Sequence, residues 1–193
     1  MTPRLLQRFD ARPATRRALS LMHPECPIEQ SLRGADAGAQ RELQQEIWNA
    51  PSFIEAGVLL VADPKCLRVL ARTERALAEP VGALRRRYGD AIVVEPPAVR
   101  YAHGAPVLEP YMIVLLCGPE DHLPIVQRDL AKRRSQITRL DHHAGLFVLE
   151  AEAPLANLLG YGDALQTLTG GETDVSMWLS RYLPIDDDGP YAA

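Results

Sequence analysis

The sequence predicts an α+β protein made of two tandem βαββαβ modules. Three observations carry this expectation. The same order of strand and helix signals occurs twice along 193 residues, a length that suits one ordinary domain or two small ones. Prolines at 96, 97, 106 and 110 separate the two runs. The composition, 47% apolar and 24% charged, is that of a chain able to bury a core.

In the first run, Ala18–Met22 is a short apolar stretch closed by His23-Pro24 and suits a strand, followed by a polar loop containing Gly34 and Gly38. From Gln40 to Trp48 the apolar Leu43 and Ile47 stand four apart among polar residues, which predicts a helix that Pro51 ends. Residues 57–61 and 66–70 are β-rich and are separated by Ala62-Asp-Pro-Lys65, a hairpin signal. Thr73 offers an N-cap to a helix with Leu77, Val81, Leu84 and Tyr88 on one face, with Pro80 expected to kink it and Gly89 to stop it. A last strand is expected over residues 91–94.

The second run repeats the order. Tyr111–Leu116 is continuously apolar, as a strand in the middle of a sheet would be. Leu123, Val126 and Leu130 mark a helix ending in Lys132-Arg-Arg134, and residues 137–140 read as an edge strand. Asp141-His-His-Ala-Gly145 is expected to turn the chain into the strand 146–149. One helix is expected from Leu155 to Leu168, capped by Gly170-Gly171, and then Val175, Met177 and Leu179 alternate with polar residues. This split βαβ order is called ferredoxin-like. The expected organisation is a leader (1–15), a first module (16–96), a linker (97–109), a second module (110–185) and a mobile acidic tail (186–193).

Charge is uneven. Residues 1–96 carry 14 Arg/Lys against 12 Asp/Glu, and the remainder 7 against 13, so general affinity for nucleic acid is not expected. Cys26, Cys66 and Cys117 lie far apart without a C-x-x-C pair and read as buried thiols, with no disulfide framework or zinc ribbon. No apolar run approaches the roughly 20 residues of a membrane span, and the expected compartment is the cytoplasm.

The motifs of catalysis are missing from this sequence. No glycine precedes a lysine, so the phosphate-cradling G-x-x-x-x-G-K-[ST] loop does not occur, and no G-x-S-x-G elbow is found. Glu150 and Glu152 share one strand face without an obvious partner. Asp141, His142, His143, His122 and Cys117 have ligand chemistry but no H-x-x-x-H or H-E-x-x-H spacing, and exposed turn histidines are the expectation. No enzyme activity, cofactor or metal is expected. Two basic clusters, Arg85-Arg86-Arg87 and Lys132-Arg133-Arg134, end their helices; they either complement the helix dipole or contact an anion or RNA.

Several motifs resemble those of the elongation factor G family. Val107-Leu-Glu-Pro-Tyr-Met112 is similar to its "LLEPIM", Arg128–Arg134 to "DLxxRRG", Glu152–Leu155 to "AEVPL", and Leu159–Tyr161 with Leu165–Gly170 to "FGYxxxLRSxTxG". More faintly, Pro51-Ser-Phe53 resembles "DPSF", and 72–89 and 94–101 resemble the end of the family's third domain. The resemblance implies domains three and five alone, without the GTPase domain, domain two or domain four. It departs from the pattern where Ser135 stands for the glycine of "RRRG" and where Gly171-Glu172 replaces a basic residue.

This resemblance implies a non-catalytic protein that binds the ribosomal factor site, at the stalk base, or a translation factor. Two alternatives stand beside it: a binder of a small-molecule inhibitor of elongation factor G, acting as an antibiotic decoy in the crevice between the modules, and a protein–protein adaptor. The partner-binding residues carried over are Arg85, Arg86, Arg87, Arg133, Arg134, Gly160, Tyr161, Thr169, Gly170 and Glu172.

Overall fold

The computed structural model describes residues 23–49, 57–102 and 105–185. The expected leader, the strand at 18–22, the Pro51 stop with its "DPSF"-like motif and the acidic tail lie outside them. Two antiparallel sheets, each with two helices, form two tandem ferredoxin-like modules.

The first module runs β1 (Ile28–Gly34), α1 (Ala37–Asn49), β2 (Val58–Asp63), β3 (Cys66–Ala71), α2 (Glu74–Tyr88) and β4 (Ile92–Val94). Its strands are ordered β2-β3-β1-β4. The central strand β1 corrects the sequence expectation of a polar loop over these residues. Ile28, Gln30 and Leu32 alternate inward, and the amide of buried Gln30 is satisfied by donating to the Glu95 carbonyl at 2.8 Å. A glutamine in the middle of an inward-facing set hides the strand from a search for apolar alternation.

Helix α1 starts three residues before the expected Gln40. Asp36 Oδ1 accepts from the Gly38 and Ala39 N–H groups at 2.7 and 2.8 Å, so the N-terminal amides are capped without an apolar signal. Helix α2 follows expectation at both ends: Thr73 Oγ1 accepts from Ala76 N–H, and Gly89 takes φ +51 as its N–H bonds the Arg85 carbonyl. Pro80 lies buried inside this single helix. Just beyond, β5 (Ala98–Val99) adds to β1, so part of the expected linker is built into the first sheet.

The second module runs β6 (Leu108–Pro119), α3 (Leu123–Lys132), β7 (Gln136–His143), β8 (Leu146–Pro154), α4 (Tyr161–Thr169) and β9 (Asp174–Pro184), in the order β7-β8-β6-β9. Strand β6 is central and β7 an edge, as their compositions predict. His142 and His143 lie in β7 rather than in the turn, which is confined to Ala144-Gly145. Met112, Val114 and Leu116 alternate inward on β6 and pack with Phe147, Leu149, Tyr161 and Leu165. On the far face of the sheet stands Cys117, which is exposed rather than buried as expected, because it is out of phase with the inward set.

The expected helix from Leu155 to Leu168 is instead a 3-10 turn at Leu155–Asn157 followed by α4. Gly160 sits between them at φ +72, a left-handed conformation that ends one set of helical hydrogen bonds before the next begins. Apolar spacing alone cannot register that break.

Candidate partner-binding site

The C-terminus of α3 and the N-terminus of α4 meet at one end of the second module. Ser135 N–H bonds the Leu130 carbonyl and Arg134 N–H the Ala131 carbonyl, both at 3.2 Å, with Arg134 between them at φ +57. This is a Schellman helix stop with arginine at the left-handed position that glycine normally takes. The departure from the "RRRG" motif therefore has a geometry: Ser135 spares its glycine, and Arg134 bears the positive φ. The Arg134 side chain is exposed.

Arg133 is occupied internally. Its Nε bonds Asp129 Oδ2 at 2.8 Å, one NH group donates to the Asn157 carbonyl at 2.8 Å, and the guanidinium carbon stands 4.6 Å from the centre of the Tyr161 ring. The Asn157 side chain returns a bond to the Arg133 carbonyl at 3.0 Å. Arg133 thus joins the two helices, and of the pair carried over from the motif only Arg134 is presented to solvent.

Tyr161 is fully buried, and its hydroxyl has no hydrogen-bond partner among the described residues. Burial pushes its pKa upward, the Asp129 carboxylate acts in the same direction, and Arg133 opposes them. It is a packing residue. Gly160 has no side chain with which to cap α4; its N–H instead donates to Glu74 Oε2, in the first turn of α2, at 2.8 Å.

Thr169, Gly170 and Glu172 lie at the other end of α4, about 14 Å along a nine-residue axis. Thr169 is buried and its hydroxyl donates to the Leu165 carbonyl at 2.9 Å. Gly170 at φ +61 and Gly171 at φ +81 stop the helix. Exposed Glu172 stands 3.7 Å from His122 Nε2, and His122 Nδ1 is 3.3 Å from the hydroxyl of buried Thr173. Gly118 permits this packing: a Cβ there would meet Thr173 Oγ1 at 2.5 Å.

Arg85, Arg86 and Arg87 are exposed in the last turn of α2. Eleven to thirteen helical residues place them about 17–20 Å along the axis from Glu74. The ten sequence-derived residues are therefore not one site. Arg133, Arg134, Gly160 and Tyr161 come together, Thr169, Gly170 and Glu172 form a second group, and the triple arginine a third.

Sequence reasoning missed Glu74, Asp129 and Asn157. The i,i+4 spacing of Asp129 and Arg133 was a legible signal for one of them. Nothing local marks Glu74 as a partner of Gly160. No group of His, Cys, Asp or Glu among the described residues could hold a metal ion. His142 and His143 explain this in part, since β alternation points them to opposite faces. No helix among the described residues is long and apolar enough to cross a membrane.

Fold and site together define a tandem ferredoxin-like protein whose second module carries a polar helix-end site. Residues 106–191 match the family model described as Elongation factor G C-terminus. Over that segment the chain is elongation-factor-G-like. It is 39% identical over 83 residues to Ribosome-releasing factor 2, mitochondrial, of Danio rerio, a match covering 43% of this chain and 11% of that protein. It is likewise 39% identical over 79 residues to Elongation factor G 2 of Anaeromyxobacter dehalogenans (strain 2CP-C), covering 41% and 11%. The aligned segment is thus about a tenth of the length of either relative. A crystal structure of a protein from Thermus thermophilus superposes with a TM-score of 0.59 at 16% identity, covering 83% of this chain and 41% of that one, which establishes likeness of fold.

Proposed function

We propose that this chain is a non-catalytic, elongation-factor-G-like protein that binds the ribosomal factor site through the Arg134 end of its second module. The observation that carries this reading is Arg134 itself: an exposed arginine held at positive φ in a helix stop where glycine would be unstrained. A residue kept in a sparsely populated conformation points to a role for its side chain. The two relatives support the reading by their names, one for ribosome release and one for elongation.

A guanidinium offered from a helix end suits a phosphate of ribosomal RNA, and the overall acidity of the second half makes such a contact local. Sedimentation with purified ribosomes at low and moderate salt tests it. Pelleting that weakens as salt rises, and that is lost in Arg134→Glu, is expected; a protein left in the supernatant at low salt rejects the reading.

A further inference from the structure

We propose that the open face of the second sheet docks a segment of a partner protein carrying arginine or lysine among apolar side chains. Helices α3 and α4 cover one face of this sheet. The other carries Trp178, Ile113, Leu115, Val148 and Leu146, placed on one side by the register of β6 with β8 and β9. Trp178 is 42% exposed and Leu146 45%. A tryptophan left in water within an apolar patch is the kind of anchor around which interfaces are built.

Charge selects the occupant. Asp141, Glu150, Glu152 and Asp174 share this face by register, against Arg139 and Arg181. Both arginines are already paired, Arg139 Nε with Asp141 Oδ2 and Arg181 with Glu152 Oε2, each at 2.5 Å. Among the described residues the Glu150 carboxylate accepts only from the Thr138 hydroxyl, at 3.0 Å. The face is therefore acidic around its apolar diagonal. It repels the phosphates of nucleic acid, and it repels a second copy of itself, whereas a basic, apolar polypeptide neutralises it while burying the tryptophan. This surface lies on the opposite side of the sheet from the helices that carry Arg134, and it does not depend on the ribosomal reading.

Cys117 provides the probe. It stands on the open face opposite Val148 and Asp174 and is exposed, whereas Cys26 and Cys66 are buried. The rate of Cys117 alkylation by iodoacetamide is measured on the intact chain with three additions: a 12-residue peptide alternating arginine and leucine, its glutamate–leucine counterpart, and a single-stranded RNA oligonucleotide. Saturable protection by the arginine–leucine peptide alone is expected, weakening with salt. Trp178→Ala and Glu150→Lys, both surface changes that leave the core untouched, should each raise its Kd, the first by about tenfold or more. The proposal is overturned by absence of protection up to about 1 mM peptide, or by equal protection from the acidic peptide or RNA. It is equally overturned by protection that grows with protein concentration in the absence of peptide, or by a Trp178→Ala variant that binds unchanged.

Discussion

Glu74 Oε2 accepts a hydrogen bond from the Gly160 N–H at 2.8 Å, joining residues 86 positions apart in different modules. Gly160 brings no side chain to the start of α4, so a carboxylate from α2 supplies the negative charge that a helix N-terminus favours. A second bond across the modules runs from the Tyr182 hydroxyl to the Pro24 carbonyl at 2.8 Å. Two polar contacts, one at a helix end and one at the end of β9, thus pin the modules to each other.

Replacing Glu74 by Ala should loosen the first pin. Amide hydrogen exchange at Gly160 is expected to accelerate, with a global stability loss of about 1.5–3 kcal/mol, the scale of a hydrogen bond to a charged group. Unchanged exchange at Gly160 would show that the bond does not hold in solution.

The two adjacent arginines should behave oppositely. Arg133→Ala removes two hydrogen bonds and a ring contact and should cost about 2–3 kcal/mol in denaturant unfolding. Arg134→Gly relieves the positive φ and should stabilise by about 1 kcal/mol, while weakening ribosome binding. Loss of stability in Arg134→Gly would contradict the strain argument.

Tyr161→Phe removes a buried hydroxyl that has no partner among the described residues. The melting temperature should hold or rise, because no hydrogen bond is lost and a desolvated polar group disappears. A fall of several degrees would mean that the hydroxyl is satisfied after all.

Gly118→Ala should be destabilising by about 1–3 kcal/mol, since the added carbon meets Thr173 Oγ1 at 2.5 Å. The pair Gly118→Ala with Thr173→Ala, which removes the obstructing hydroxyl, should recover part of that loss in chemical unfolding.

Alkaline pH should weaken the second pin. Burial pushes the Tyr182 pKa up from 10.0 to about 12, against the opposing Arg100 charge. The folded protein therefore prefers the neutral phenol. Its contribution to stability is complete below pH 10 and declines as pH rises through about 12. Thermal unfolding followed across that window should show a smaller alkaline loss in Tyr182→Phe than in the parent chain.

Most elements are legible in the sequence because their signals act over a few residues. The Leu77, Val81 and Leu84 spacing, the Thr73 cap, the Gly89 and Gly170 stops and the alternation in β9 each express local stereochemistry or one buried face. The motifs at 107–112, 128–134 and 159–170 likewise pointed to the family whose model covers 106–191. Strand β1 escaped notice because Gln30 is inward only by virtue of the Glu95 carbonyl that receives it. Arg133 and Arg134 are identical letters in one basic cluster, and only packing made the first an internal tie and the second an exposed, strained end. No spacing rule relates Glu74 to Gly160. Periodicity and capping are properties of neighbours along the chain, whereas the partner of a polar group is decided by whatever the folded chain sets beside it, where leaving it unpaired away from water costs most.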